Sequence, residues 1–367
     1  MAPRLLHVFP SFAVGGQQTR FATVANRLGR RFRHLVVSLD GREQATALLD
    51  RDLDFAVLPL PPASPLARLR RIAAMSRKAE ADALVTYNWG SVEWVMVNRM
   101  WSGRPHIHFE DGFGADEADR QKWRRVLARS LLLRRSSVVV PSHKLAALAV
   151  RSWRIDPRHV HYVPNGIDPG RFDRVSRTGE PFFDRRDACV IGSFSPLRAE
   201  KNIARLLRAF ARIVPSGVPA RAVICGEGPE RAALQGLAER LGLADRVTFT
   251  GHVPRSEAVM GAFDVLAITS DTEQMPYAVL EAMAARLPVL ATDVGDIALM
   301  VAEENRPFVV TRDDPERLAA ALAELCADAE LRVRVGRRNR QRVEEGFGIE
   351  AMVESFHRIL SAAIAGR

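Results

Sequence analysis

Residues 270–292 read Ser-Asp-Thr-Glu-Gln-Met-Pro-Tyr-Ala-Val-Leu-Glu-Ala-Met-Ala-Ala-Arg-Leu-Pro-Val-Leu-Ala-Thr, a polar loop with Glu273 running into a helical stretch with Glu281. Pro276 fits the first helical turn, where its missing N–H costs little. A helix that starts beyond the carboxyl end of a strand offers free N–H groups and a positive dipole to phosphate. The plainer alternative is an acidic loop residue and an exposed helix glutamate. A second loop, Ile191-Gly-Ser-Phe-Ser-Pro-Leu-Arg-Ala-Glu-Lys-Asn202, brings Arg198 and Lys201 ahead of an amphipathic helix with Leu206, Leu207 and Phe210. Its cations suit an anionic ligand, or Lys201 is a solvated residue at a helix start. In Val14-Gly15-Gly16-Gln17 two glycines let backbone N–H groups approach an anion, though an ordinary strand-to-helix turn has the same composition. His106, His108 and Glu110 alternate, so on a strand all three point to one face. That face could carry a catalytic group, core histidines or a metal. Asp52 and Asp54 precede a strand, far from the phosphate-type loops, and read as a solvated turn.

Such side chains need elements to hold them, and the chain alternates short β-rich runs with longer helical patterns, which predicts parallel sheets wrapped by helices. Strands are expected at Leu5–Phe9, Leu35–Leu39, Phe55–Leu58, Ala83–Tyr87, His106–Phe109, Ser137–Val140 and His161–Val163. Helices are expected at 17–29, 42–50, 66–79, 91–101, 116–134 and 143–153. The segment 164–188 is dense in turn formers and is read as the domain boundary. The alternation restarts with strands at Cys189–Gly192, Arg221–Cys225, Val247–Thr250, Val265–Ile268, Val289–Ala291 and Phe308–Val310, and is helical after 314 with a break near Gly346–Gly348. The expected organisation is a domain over 1–175, a second over 185–345, and a C-terminal helix over 346–367 that packs back on the first. No short repeat or low-complexity tract is seen.

With these elements in place, Glu273 and Glu281 form a Glu-x7-Glu pair in a context, Pro276, Leu280-Glu-Ala-Met-Ala284 and Pro288-Val289, that resembles the retaining GT-B glycosyltransferases of family 4, the glycosyl transferases group 1. The resemblance implies an α/β GT-B fold, two Rossmann-like doubly wound domains facing across a cleft. It implies that Glu273 lies near the donor sugar and that Glu281 binds the nucleotide ribose. Ser195-Pro-Leu-Arg-Ala-Glu-Lys201 is similar to the family's Gly-Arg-Leu-x-x-x-Lys loop. Lys201 takes the phosphate-neutralising position, but Pro196 stands where the family has Arg, and Pro supplies neither charge nor donor. Arg198 is the candidate to restore that charge.

The loop Cys225-Gly226-Glu227-Gly-Pro229 and the stretch from Arg246 through His252 to Val253 resemble the nucleotide side of the family's cleft. Met275, Pro276 and Tyr277 complete the expected donor contacts, and Gly15 and Gly16 occupy the family's Gly-Gly loop. His108 sits where related enzymes place a His near the reacting sugar, so the expected catalytic set is His108, Glu273 and Lys201. Pro164-Asn-Gly-Ile-Asp168, with Phe172, resembles a structural element before the interdomain linker. In Ala291-Thr-Asp-Val-Gly-Asp-Ile-Ala-Leu-Met300, Asp296 replaces a usual Gly and Leu299 a usual Glu.

The activity implied is transfer of a sugar from a nucleotide-diphosphate sugar to a hydroxyl of a glycan, lipid-linked or small-molecule acceptor, with retention. No metal or cofactor is implied, because Lys201, Arg198 and a helix N-terminus would bear the pyrophosphate charge. A nucleotide-sugar epimerase of the same fold, or a catalytically silent relative motivated by Pro196, Asp296 and Leu299, are the alternatives.

At 367 residues and 47% hydrophobic content the chain suits two cores. Cys189, Cys225 and Cys326 are widely spaced, which suggests neither a disulfide framework nor a thiolate metal site and favours a reducing compartment. No apolar run approaches a signal peptide or a membrane span, so a cytoplasmic protein is expected. The net charge of +10 calls for an acidic counterpart. Nucleic acid is disfavoured for want of a recognisable binding motif. The segment Arg120–Arg135 interleaves arginines with Trp123, Val126, Leu127 and Leu131–Leu133, which suits either a helix lying on an anionic membrane, at its inner face, or an ordinary buried amphipathic helix.

Overall fold

Short apolar runs of two to six residues pair as parallel strands, the arrangement found where helices cover both faces of a sheet. The computed structural model describes residues 2–60, 65–113, 117, 121–173 and 188–366. Its two compact units are Met1–Asn165 with Glu350–Arg367, and Gly166–Ile349. The region read as the boundary falls partly in residues 174–187, which lie outside the described residues, and Gly166–Asp173 group with the second unit.

The first unit holds a seven-stranded sheet in the order β3-β2-β1-β4-β5-β6-β7. Its strands are β1 (Arg4–Phe9), β2 (Arg33–Ser38), β3 (Phe55–Val57), β4 (Ala83–Tyr87), β5 (His106–Phe109), β6 (Ser137–Val140) and β7 (Val160–Tyr162). Its helices are α1 (Gly16–Leu28), α2 (Pro65–Lys78), α3 (Val92–Val97), α4 (Trp123–Leu132) and α5 (His143–Arg151). The expected helix at 42–50 is instead a short 3-10 turn, Gln44–Leu48. That stretch is too short to bury a helical face, and it is pinned by Ala45 N–H donating to Phe12 O at 2.9 Å. The pattern at 91–101 is α3 followed by a single π turn, Asn98–Ser102, closed by Gly103 N–H donating to Asn98 O at 2.7 Å, with Gly103 at φ 61°. Of the expected helix over 116–134, residue 116 and residues 118–120 lie outside the described residues.

The second unit holds a six-stranded parallel sheet in the order β10-β9-β8-β11-β12-β13. The strands are β8 (Cys189–Phe194), β9 (Ala220–Cys225), β10 (Val247–Gly251), β11 (Val265–Ile268), β12 (Val289–Thr292) and β13 (Val309–Val310). Around them lie α6 (Ile203–Ile213), α7 (Arg231–Arg240), α8 (Glu257–Met260), α9 (Tyr277–Ala284), α10 (Ile297–Met300), α11 (Pro315–Ala327) and α12 (Ala329–Gly346). Pro276 precedes α9 as its cap residue rather than sitting in its first turn. In each sheet the strand order reverses beside the first strand, between β1 and β4 and between β8 and β11. Ligands of open α/β sheets bind beyond the strand ends at such a reversal.

The last helix, α13 (Ile349–Ala365), belongs to the first unit from Glu350 onward. Phe356 stacks on Phe109 with centroids 5.0 Å apart, and Arg27 pairs with Glu350 at 2.7 Å. Phe356 thereby extends an aromatic stack through Phe109, Tyr87 and Phe9 on one face of the first sheet. On that face His7 Nε2 meets His34 Nδ1 at 3.0 Å and His7 Nδ1 meets the Tyr87 hydroxyl at 3.0 Å.

Burial is the main cause that pulls His34 down to about 4 and His7 well below 6.5. The unfolded chain therefore takes up these protons near pH 6.5 while the folded chain refuses them. Stability is full above that pH and is lost as the pH falls toward 4, by about 3 kcal/mol for His34 alone. The urea midpoint should accordingly drop between about pH 7 and pH 4.5, and drop less in His34→Gln; equal slopes in both proteins would contradict this.

Candidate functional site

The second unit's strand reversal brings together the two loops that carry the expected phosphate and sugar contacts. The loop after β8 ends in a 3-10 turn, Ala199–Lys201, and Asn202, at φ 42°, caps α6 by accepting from Arg205 N–H at 3.2 Å. Asn202 can occupy the left-handed region and cap with the same side chain, which turns the chain sharply enough to aim Lys201 at the neighbouring loop. Lys201 Nζ donates to Glu273 Oε1 at 2.5 Å, and Ser270 Oγ donates to the same oxygen at 2.7 Å. A second link runs alongside: Asn202 Nδ2 reaches both Asp271 carboxylate oxygens at 3.1 Å, and Arg205 donates to Asp271 at 2.8 Å and to Thr269 O at 2.6 Å. The loops after β8 and β11 are thus joined by two carboxylate-centred clusters.

Glycines close the space around them. A Cβ on Gly226, which has φ +150°, would lie 1.9 Å from Ser195 O, and one on Gly228 would lie 2.2 Å from Leu197 O. The Gly-rich loop after β9 therefore packs backbone to backbone on the Pro196 loop, which is the close approach those glycines allow. From the other side, a Cβ on Gly295 would lie 2.5 Å from Glu273 O, and Asp296 N–H donates to Gln274 O at 2.9 Å. Asp296 is buried where the family has a glycine, while Leu299 is exposed.

The remaining expected donor residues fall into different settings. Glu281, one turn into α9, accepts from Ser256 Oγ at 2.7 Å and not from Lys201. Burial pushes its carboxyl above the usual range, and the Ser256 bond and the nearby Arg171 only partly offset this. Arg198 is exposed, 4.0 Å from Glu200. Glu227 pairs with Arg231 on α7. Val253 and Met275 are packed into the apolar cluster under α9, so their side chains serve the core and only their backbones can line a ligand site. Tyr277 is half-buried against that same cluster.

In the first unit the corresponding reversal gathers residues that spacing alone did not mark. α1 begins at Gly16 with no side-chain cap, and Gly15 is extended at φ −170°. From α1, Gln17 and the buried Arg20 both bond to Asp111, which follows β5. Arg20 also donates to Asn165 Oδ1 at 3.1 Å and lies over the rings of Phe109 and Phe356. Asn88, after β4, holds a positive φ of 52° and accepts from Asp111 N–H at 2.8 Å.

His106, His108 and Glu110 do share one face, but all three are buried. Thr86 Oγ1 sits 2.8 Å from His106 Nε2 and 2.8 Å from His108 Nδ1, and His106 Nδ1 meets Ser136 Oγ at 2.7 Å. His108 Nε2 faces Glu110 at 3.6 Å, and Glu110 pairs with Arg129 at 3.2 Å. Arg129 in turn sits between the rings of Trp89, Phe113 and Trp153. The expected catalytic His108 is therefore a member of an interior network, 2% exposed, and not a group presented to a ligand. Among the described residues no group of three or more His, Cys, Asp or Glu could hold a metal ion.

Two doubly wound units, each with polar loops at its strand reversal, define an α/β protein of the GT-B class, and sequence comparison agrees. Residues 183–342 match the family described as glycosyl transferases group 1, and residues 15–166 match the glycosyl transferase 4-like domain. The chain belongs to the group 1 glycosyl transferases. It is 29% identical over 283 residues to a D-inositol 3-phosphate glycosyltransferase of Stackebrandtia nassauensis, covering 69% of this chain and 62% of that one. It is 36% identical over 274 residues to the protein of that name in Corynebacterium urealyticum, covering 69% and 65%. The chain thus spans less than two thirds of the length of these two relatives. Anabaena HepE, solved with UDP-glucose, superposes with a TM-score of 0.83 at 20% identity, over 98% of this chain and 99% of that one. Sucrose-phosphate synthase from Thermosynechococcus elongatus superposes with a TM-score of 0.82 at 20% identity, over 99% and 100%. At that identity these two structures show a shared fold.

The Glu281 carboxyl yields a test of this geometry. Its folded value lies above the ordinary 4.5, so the folded chain keeps the proton after the unfolded chain has lost it, and stability falls as the pH rises from 4.5 through the folded value. Glu281→Gln removes that loss. The melting temperature of the variant relative to the parent should therefore rise between about pH 4 and pH 8; a difference that is flat or shrinks would place Glu281 outside a buried setting.

Proposed function

We propose that this chain transfers a sugar from a nucleotide-diphosphate sugar to an acceptor hydroxyl with retention of configuration, using the loops after β8, β9 and β11 as its donor centre. The observation that carries this reading is the Lys201–Glu273 contact at the strand reversal of the second sheet. A positive group and a sugar-binding carboxylate are held there within one hydrogen bond of each other, where an α/β sheet receives its ligand.

In this reading Lys201 donates to the oxygens of the leaving diphosphate, whose charge grows as the bond to the sugar C1 breaks. Arg198, exposed and tied only loosely to Glu200, supplies the second charge that Pro196 cannot. Glu273, fixed by Ser270, accepts from donor-sugar hydroxyls when Lys201 turns to phosphate. Glu281 accepts from the ribose hydroxyls. The acceptor oxygen attacks C1 on the face the diphosphate leaves, and its proton passes to a departing phosphate oxygen, so atoms and charge balance without an enzyme nucleophile. These cations carry the charge a metal ion would carry elsewhere, and no further cofactor is invoked. The UDP-glucose bound to Anabaena HepE supports uridine donors as the first to test. The relatives named D-inositol 3-phosphate glycosyltransferase support a polyhydroxyl acceptor. The three cysteines, all buried thiols, support a cytoplasmic setting.

A panel of radiolabelled nucleotide sugars, offered with polyol, glycan and lipid-linked acceptors, tests the reading. Transfer supports it. Isomerised donor would point to an epimerase, and binding without turnover to a silent relative. Lys201→Ala should lower kcat about 100- to 1000-fold, the cost of removing one preorganised donor from developing charge. Glu281→Ala should weaken UDP binding about tenfold or more, as expected for lost hydrogen bonds to a charged group. Unchanged affinity in the Glu281 variant would remove the ribose role.

A further inference from the structure

Among the described residues, the exposed large hydrophobic side chains are unevenly placed, and those of α4 and the π turn before Gly103 form one group. On α4, Trp123, Leu127 and Leu131 recur every four residues and are 69%, 51% and 56% exposed. On the π turn, Met100 and Trp101 are 62% and 53% exposed. The two elements are tied together, since Arg99 Nη1 donates to Leu131 O at 3.0 Å. The helix thus packs Val126 and Leu132 on the core and turns a second apolar edge outward.

Within the two segments themselves the charges have one sign. No Asp or Glu occurs from Asn98 to Phe109 or from Gln121 to Val140, while Arg99, Arg124, Arg134 and Arg135 flank the apolar groups. Arg124 lies over the Trp123 ring at 5.4 Å. Arg134 and Arg135 lie close enough to Arg99 to help pull its proton affinity down, after burial. Inner arginines of α4 are already committed, Arg129 to Glu110 and Glu117 and Arg125 to Glu117. The outer ones face solvent.

We infer that α4 and the Met100–Trp101 turn form a docking face for an anionic lipid bilayer. Tryptophan, leucine and methionine enter the headgroup and acyl boundary, and the surrounding arginines meet lipid phosphates from their long stems. A second copy of this chain is the poorer occupant, because a two-fold contact through this face sets arginines against arginines with no carboxylate from either segment to pair them. No helix among the described residues is long and apolar enough to cross a membrane, so the attachment is to the surface. This inference stands apart from the donor-centre reading and can fail without it.

Co-sedimentation of the full chain with phosphatidylcholine vesicles, with and without phosphatidylglycerol, tests it. The chain should partition onto the anionic vesicles, and less so as salt rises. Trp123→Ser combined with Leu127→Ser and Leu131→Ser should lower that partition more than about tenfold, from the apolar area lost, while leaving the melting temperature unchanged or higher because these side chains are exposed. Arg134→Gln with Arg135→Gln should reduce the preference for anionic vesicles. Val333→Ser, which alters an exposed apolar residue on α12, should change nothing. Brominated acyl chains should quench tryptophan fluorescence in the parent and less in the triple variant. Absence of partition, partition that the triple variant retains, or self-association that the triple variant abolishes without any vesicle binding would each overturn the inference.

Discussion

The contact between the Lys201 ammonium and the Glu273 carboxylate joins the two loops on either side of the place where the second sheet changes its winding direction. Much else in that unit is arranged so that this contact can exist. Asn202 adopts a left-handed turn to bring Lys201 around, Ser270 fixes the carboxylate from below, and three glycines admit backbone from adjoining loops where a single methyl group would collide. The pair is mostly enclosed, and its value lies in what it holds ready. A charged donor and a charged acceptor are kept in place and partly dry, each able to exchange its partner for one on a ligand.

The first unit repeats the plan with different chemistry. Its strand reversal carries Gln17, Arg20 and Asp111, braced by the strained Asn88 and by Asn165. Asp111 keeps a partly exposed edge, whereas Arg20 is wholly enclosed under aromatic rings. The same sheet buries a long polar chain from Ser136 through His106, Thr86 and His108 to Glu110 and Arg129. Removing one member of such a chain strands the others, which makes it a rigid support for the mouth of the sheet and no place for a solvent-exposed catalytic group.

Most of the sheet framework was legible in the sequence, because parallel strands buried on both faces announce themselves as short aliphatic runs between turn formers; Ala83–Tyr87, His106–Phe109, Ser137–Val140 and Val265–Ile268 are all seen with the expected ends. The helix expected at 42–50 failed because nine residues of mixed character can satisfy a helical pattern without a face to bury. Lys201 and Glu273 were legible since motif context marked both loops. The pairing of Arg20 with Asp111 was not, because it spans 91 positions. Val253 and Met275 were placed near the ligand by neighbourhood in sequence, and their side chains are buried in the apolar cluster. The outward turn of α4 could not be decided either, since the same periodicity describes a buried helix and an interfacial one.

A crystal structure of the chain soaked with UDP is the most direct test of the donor centre. The diphosphate should lie over the loops after β8 and β11, with Lys201 Nζ within hydrogen-bonding distance of a phosphate oxygen, withdrawn from Glu273, and with Glu281 on the ribose. A nucleotide bound elsewhere, or one bound with the Lys201–Glu273 contact intact and Lys201 turned from the phosphates, would contradict the account.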